Sequence, residues 1–173
     1  MIFFLMMPVA VSGQTVHVDE GRVVYKGMIN VPNVNKEELY ERAMVAVFSH
    51  VKGSKKDRVA DNKEKGSIAG NGTIKLRTPY PIIRTVGYIL ELSVDDGSYK
   101  YRIDSVYIKQ VERGGKTIKI SSAELFKGVE ATGAESVVAE KQLNEIDMNF
   151  QKLLALLHAD MKKTTVVKTK KAE

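Results

Sequence analysis

Two long alternating runs on either side of Asp95-Asp96-Gly97-Ser98 constrain this chain more than anything else in it. From Arg84 to Val94, the residues Val86, Tyr88, Leu90, Leu92 and Val94 alternate with Thr85, Gly87, Ile89, Glu91 and Ser93. From Tyr99 to Val111 the pattern returns, with Tyr99, Tyr101, Ile103 and Ser105 set against Lys100, Arg102, Asp104 and Val106. Successive side chains of a strand point to opposite faces, so each run predicts a strand with one buried and one wet face. Asp-Gly supplies the positive φ of a tight hairpin turn. A two-stranded hairpin is not stable alone in water, so the rest of the chain must supply further strands and a cover for the apolar face.

Both are legible. Arg22 to Val31 alternates, with Val24, Lys26 and Met28 on one parity and Val23, Tyr25, Gly27 and Ile29 on the other. After Pro32 and Asn33, Asn35 is a good helix N-cap, and Glu37 and Glu38 sit in the first turn, where the helix dipole is positive. The helix predicted from Lys36 to Val51 carries an apolar stripe of Leu39, Ala43, Ala46 and Val47, widened by Tyr40, Met44, Phe48 and Val51, and stops at Gly53. A short strand is expected around Arg58 to Asp61. Gly66 to Leu76 reads as a strand with Ile68, Gly70, Gly72, Ile74 and Leu76 on one parity, the glycines allowing a bend or a close helix approach. Glu112 to Val138 is irregular, with a turn at Gly114-Gly115, a short strand at Thr117–Ile120 and a helical turn at Ala123–Lys127. Ala139 to Met161 is a long helix, because Leu143, Ile146, Phe150, Leu153, Leu154, Leu157 and Met161 recur at three and four residues. The order predicts a single α+β domain over residues 14–161, an antiparallel sheet with its helices on one face.

Both ends are distinct from this body. Met1 to Gly13, MIFFLMMPVAVSG, is uncharged, and Val11 and Gly13 occupy the small-residue positions of a signal-peptidase site ahead of Gln14. The run is too short to span a bilayer, which takes about 20 apolar residues. It lacks a positively charged n-region, but Pro8 and the missing polar alternation argue against an amphipathic element of a cytosolic domain. Residues 1–13 are therefore expected to be a signal peptide, and the protein to be exported to the periplasm or the outer membrane. The net charge of +6 invites a nucleic-acid reading, but residues 1–161 carry 22 basic and 20 acidic side chains. The excess lies in the tail 162–173, expected to be disordered, where Lys162, Lys163, Lys168, Lys170 and Lys171 could touch anionic headgroups or wall polymers.

The arrangement resembles the domain of unknown function 4468, a family of exported proteins from Bacteroides-type bacteria with a TATA-binding-protein-like fold. The matching stretches are the helix Asn35-Lys36-Glu37-Glu38-Leu39-Tyr40-Glu41-Arg42-Ala43, the glycine strand Gly66-Ser67-Ile68-Ala69-Gly70-Asn71-Gly72 and the hairpin from Tyr88 to Ile103. They cover roughly residues 20–110, with a compatible final helix. The resemblance implies that TBP-like fold, with a helix after the first strand and a long C-terminal helix packed on one face. It implies an exported location and no activity.

The chemistry-bearing residues give no catalytic constellation. Without Cys there are no disulfides, thiolate metal sites or cysteine nucleophiles. His17, His50 and His158 lack ligand spacing and are expected at the surface or at helix ends. Gly70-Asn71-Gly72 before Lys75 lacks the spacing of a P-loop. Asp95, Asp96 and Asp104 fit turn chemistry better than a calcium loop. Ser121-Ser122 with Glu124 reads as a helix cap. No metal and no cofactor is expected. The tyrosines Tyr80, Tyr88, Tyr99, Tyr101 and Tyr107 could stack bases or sugars, but Tyr88, Tyr99 and Tyr101 share parity with core residues.

That leaves the sheet face turned away from the helices. Its candidate partner-binding residues are Lys75, Ile89, Glu91, Lys100, Arg102 and Val106, and an open face or edge can recruit a partner by strand addition. The expected function is a non-enzymatic envelope domain that binds a protein or an envelope component there. The alternatives are an enzyme acting on a cell-surface polymer, with carboxylates brought together only by folding, and membrane-surface association through the lysine tail.

Overall fold

A computed structural model describes residues 17–19, 22–52, 60–77, 82–130 and 132–163. The expected leader 1–13, Gly53, Arg58, Tyr80, Lys168, Lys170 and Lys171 lie outside the described residues. The elements are β1 (His17–Asp19), β2 (Arg22–Asn30), α1 (Lys36–His50), β3 (Ala60–Asn62), β4 (Ser67–Lys75), β5 (Ile83–Asp95), β6 (Ser98–Val111), β7 (Thr117–Ser121), α2 (Ser122–Glu130) and α3 (Ala134–Lys162). They form an α+β fold: an antiparallel seven-stranded sheet in the order β1-β2-β6-β5-β4-β3, with β7 also paired to β6. All three helices share one apolar layer with the sheet: Leu39 and Val47 of α1, Leu125 of α2 and Phe150 of α3 join one buried cluster with the strands.

The hairpin β5–β6 is the spine, paired from Asp95↔Ser98 to Ile83↔Val111. Gly97 takes φ 69° in its turn. The turn also organises its surroundings. The Asp96 carboxylate accepts from the Lys36 amide at 2.8 Å, and the Gly97 carbonyl accepts from the Val31 amide at 2.8 Å. Together with Asn35, whose side chain accepts from the Glu38 amide at 2.9 Å, Asp96 satisfies amides that the first turn of α1 would leave orphaned.

Three glycines let tyrosine rings lie over neighbouring strands. Gly27, Gly72 and Gly87 pair directly with Tyr101, Tyr88 and Tyr107. A Cβ on Gly72 would stand 2.1 Å from the Tyr88 ring, and one on Gly27 2.6 Å from the Tyr101 hydroxyl. The glycines of β4 were expected to serve a bend or a helix, but Gly72 makes room for Tyr88, across from it in β5. Phe150 of α3 then wedges between Tyr25 and Tyr88, with both ring centroids at 5.1 Å and edge-on geometry. The Tyr25 hydroxyl donates to Asp147 at 3.0 Å, and burial with that carboxylate holds the phenol far above its ordinary range.

Helix α1 is tied to the end of α3. Arg42 donates to the Met161 carbonyl at 2.9 Å, satisfying a terminal carbonyl, and His50 meets Asp160 at 2.6 Å. Phe48, expected in the apolar stripe of α1, is 51 % exposed, because the stripe packs on Leu39, Ala43, Ala46 and Val47. His158, expected at the surface, is half-buried with its ring 5.3 Å from Tyr101 and 6.0 Å from Tyr99.

Other boundaries also differ from expectation. The short β1 lies in a stretch without a sequence pattern, so a strand precedes the expected first one. Within Glu112–Val138 the expected turn at Gly114-Gly115, strand at Thr117–Ile120 and helical turn at Ala123–Lys127 are present, the last lengthened into α2, and α3 starts at Ala134 instead of the expected Ala139. Ser121 and Glu124 form the expected capping box: the Glu124 carboxylate accepts from the Ser121 amide at 2.6 Å, and the Ser121 hydroxyl accepts from the Glu124 amide at 3.2 Å. The Ser121 amide first, and the Ser121 hydroxyl, which also donates to the carboxylate at 2.7 Å, lower the Glu124 pKa.

Two outcomes are expected. Gly72→Ala should displace the Tyr88 ring from Phe150 and cost about 2 kcal/mol by urea denaturation, the scale of an overpacked core. Burial lowers the His158 pKa from its ordinary 6.5, so the unfolded chain binds the proton more readily. The stability that neutral His158 contributes is complete above pH 6.5 and is lost as pH falls below it, through the depressed folded value. In urea titrations between pH 7 and pH 4, His158→Phe should flatten this part of the pH dependence.

Candidate functional site: the open sheet face

The face of the sheet opposite the helices is solvent-facing, and among the described residues no helix covers it. Strand register arranges it in rows. One runs Asn62–Ser67–Ser93–Lys100–Met28, the next Ala60–Ala69–Glu91–Arg102–Lys26, and a third Asn71–Ile89–Asp104. Beyond a break in β6 come Thr73–Gly87–Tyr107–Ser121 and Lys75–Thr85–Lys109–Lys119. Of the residues expected here, Lys75, Ile89, Glu91, Lys100 and Arg102 are on this face.

Val106 is not. The register between β5 and β6 shifts between Gly87 and Ile89, where β6 carries one extra residue, and Ser105 takes φ 52°. A bulge of this kind swaps the faces of everything beyond it. Val106 therefore turns into the core, 4 % exposed, with Ile108 following it. Tyr107 and Lys109 come to the open face instead. The alternation carried through Ser105 without a break in the sequence reading, which is why Val106 was expected on the wrong side.

The bulge also divides β6 between two neighbours. Ser98–Ile103 pairs with β2, and Tyr107–Val111 pairs with β7. Where one partner gives way to the other, a cleft of about 470 Å³ opens, with Arg22, Asp104, Ser105, Tyr107 and Lys119 in its lining. A groove of about 450 Å³ lies toward the other edge, over Ser67, Ala69, Glu91, Ser93 and Lys100 and bounded by β3. Arg102 lines both, and its Nε donates to Asp104 at 2.7 Å. The groove's other carboxylate, Asp61, pairs with Ile68 on the helix-side parity and accepts from the Tyr40 hydroxyl at 2.7 Å. Glu91 and Asp61 thus belong to opposite faces and do not converge as an acid pair would.

The face is basic. Its rows present Lys26, Lys75, Lys100, Arg102, Lys109 and Lys119 against Glu91, Asp95 and Asp104. The helices α1, α2 and α3, by contrast, contain ten Asp or Glu and six Lys or Arg. Lys109 stands directly opposite Lys119, a like-charge pair that disfavours the strand pairing, and the Lys119 ammonium sits 4.0 Å from the centroid of the Tyr107 ring. Lys109 and Lys119 were not among the expected residues, although a turn centred on Gly114 pairs the residue five before with the residue five after it. Tyr88, Tyr99 and Tyr101, candidates for stacking, are buried at 3 %, 1 % and 4 % exposure, and burial pushes the Tyr88 phenol up to about 12.

The remaining candidates lie elsewhere. Lys162 ends α3 and lines a recess with Glu38 and Arg42. Lys163 caps the helix and pairs with Asp160, whose carboxyl is held below its ordinary range by Lys163 first and by His50 as well. Among the described residues no three His, Asp or Glu side chains gather as metal ligands, and no helix is long and apolar enough to cross a membrane.

Residues 25–109 match the family model described as "Domain of unknown function (DUF4468) with TBP-like fold". The chain carries a DUF4468 domain. The match runs from within β2 to within β6, the part of the sheet that forms the open face, apart from β7. Two solved structures share the fold. A DUF4468 family protein from Bacteroides ovatus superposes with a TM-score of 0.65 at 15 % identity, over 87 % of this chain and 92 % of that one. A TBP-like protein from Parabacteroides distasonis superposes with a TM-score of 0.60 at 13 % identity, over 83 % of this chain and 97 % of that one. No functionally curated protein matches the chain. The chain as a whole has the TBP-like α+β fold expected from its sequence, with the long C-terminal helix α3 lying beyond the matched DUF4468 residues.

The two apolar residues expected on this face should now separate. Val106→Asp, which buries a charge, should destabilise the domain by about 3 kcal/mol or more in urea titrations. Ile89→Lys, beside Asp104, should change stability by about 0.5 kcal/mol or less, as solvent-side substitutions do.

Proposed function

We propose that this protein is a non-enzymatic domain of the cell envelope that binds a protein or an envelope component through its open sheet face. The observation that carries this reading is the face itself. It spans β2, β6, β5 and β4, bears no helix among the described residues, and holds a groove and a cleft joined at Arg102. Monomeric proteins normally cover both faces of a sheet or make the second uniformly polar. This one mixes Met28, which is 57 % exposed, and half-buried Ile89 with small and charged residues, a composition suited to contact. The leader MIFFLMMPVAVSG supports export. The separated carboxylates of the groove favour binding over acid–base chemistry.

The test is site-specific photo-crosslinking in the native cell, with the crosslinker at Ala69 or Ser93 in the groove and at Lys141 on α3 as a control. Crosslinks from the groove positions alone, recovered in the envelope fraction without residues 1–13, are the expected result. Equal yields from Lys141, or recovery from the cytosol with Met1 retained, would overturn the proposal.

A further inference from the structure

We infer that the partner of the open face is a linear acidic polysaccharide of the uronic-acid type, lying along the strands from the Lys100–Arg102 end to the Lys109–Lys119 end. The inference rests on the binding role proposed for this face and names the chemistry of its ligand. Charge complementarity carries it. Six cations face three carboxylates in the rows of this face, while the helical layer behind is acid-rich, so the molecule turns its positive side to the open face. Two directly opposed lysines, Lys109 and Lys119, disfavour the β6–β7 pairing, and an anion shared between them relieves that repulsion.

The layout selects among polyanions. Along β6 the two basic ends are about 20 Å apart at the usual rise per residue, so only a long ligand reaches both. The row Asn71–Ile89–Asp104 stands between them, and Ser93 and Glu91 lie beside Lys100 and Arg102 at the first end; the carboxylates Glu91 and Asp104 are acceptors for hydroxyls. A polyuronate carries carboxylates at regular intervals with hydroxyls between, matching both sets. Single-stranded nucleic acid needs exposed aromatic platforms. Tyr107 is the one aromatic residue on the described open face, and the Lys119 ammonium already occupies its ring. An acidic peptide matches the cations but leaves the acceptors without hydroxyl donors.

The test is affinity electrophoresis and calorimetry of the chain beginning at Gln14 with polygalacturonate, and with polyglutamate, single-stranded DNA and neutral dextran as comparisons. Polygalacturonate should bind best, more weakly as salt rises, and oligomers too short to bridge about 20 Å should lose most of the affinity, since both ends must be engaged. Lys109→Glu is the decisive variant. It places an acid opposite Lys119, so the urea midpoint should hold or rise while polygalacturonate affinity falls about fivefold or more. Lys141→Glu on α3 should leave affinity unchanged. The inference is overturned if polygalacturonate binds no better than dextran, if polyglutamate or DNA binds as well or better, or if Lys109→Glu binds normally. Face-specific crosslinks from Ala69 and Ser93 together with no polygalacturonate binding would remove this ligand and leave the binding role standing.

Discussion

The packing of α3 on the sheet depends on glycines that stand opposite tyrosines. A residue with a Cβ at Gly27 or Gly72 would collide with the ring across from it, so these two positions let Tyr101 and Tyr88 lie over their neighbours instead of standing away from the sheet. A lowered ring leaves the helix room to come close, and Phe150 takes that room between Tyr25 and Tyr88. The contact fixes α3 in rotation about its axis, which in turn brings Asp147 to the Tyr25 hydroxyl and Asp160 to His50. Deleting a side chain at two positions thus specifies an interface built from large ones.

The bulge at Ser105 does comparable work for the other face. A regular β6 would point Val106 into water along with Asp104. With one residue out of register, at the point where β2 gives way to β7, the second half of the strand exchanges faces. The cleft, the lysine row and the position of Tyr107 all follow from that single irregular residue, held in a conformation that non-glycine residues rarely adopt.

The elements with strong periodicity were legible in the sequence. The hairpin, the Asn35 cap, the stripe of α3 and the Ser121–Glu124 box are local patterns, each decided by residues within a few positions of one another. The family resemblance, carried by the helix after β2, the glycine strand and the hairpin, covered nearly the same residues as the match at 25–109. What stayed hidden was set by pairing. Nothing beside Ser105 marks it as a bulge; the extra residue is visible only against β5. Gly72 reads as a packing glycine, and its tyrosine partner lies sixteen positions away in sequence. His158 was expected at the surface or at a helix end for want of ligand spacing, and it is the sheet that brings Tyr101 against it. The open face was half legible: the β5 and early β6 residues were placed correctly, and the basic end beyond the bulge was not.

The way β7 joins its neighbours has a bearing on how the domain tolerates change of length. On one side, Gly114 and Gly115 both take positive φ, with open space where side chains would be. On the other, strand passes into helix between Ser121 and Ser122 with no connecting residue, and that corner is held by the capping box and by Val23, whose amide donates to the Ser122 hydroxyl at 3.3 Å. The glycine turn is slack and the serine corner is taut. Natural variation in chain length, or an inserted tag, has a place to go at the first and would pull β7 off the sheet at the second.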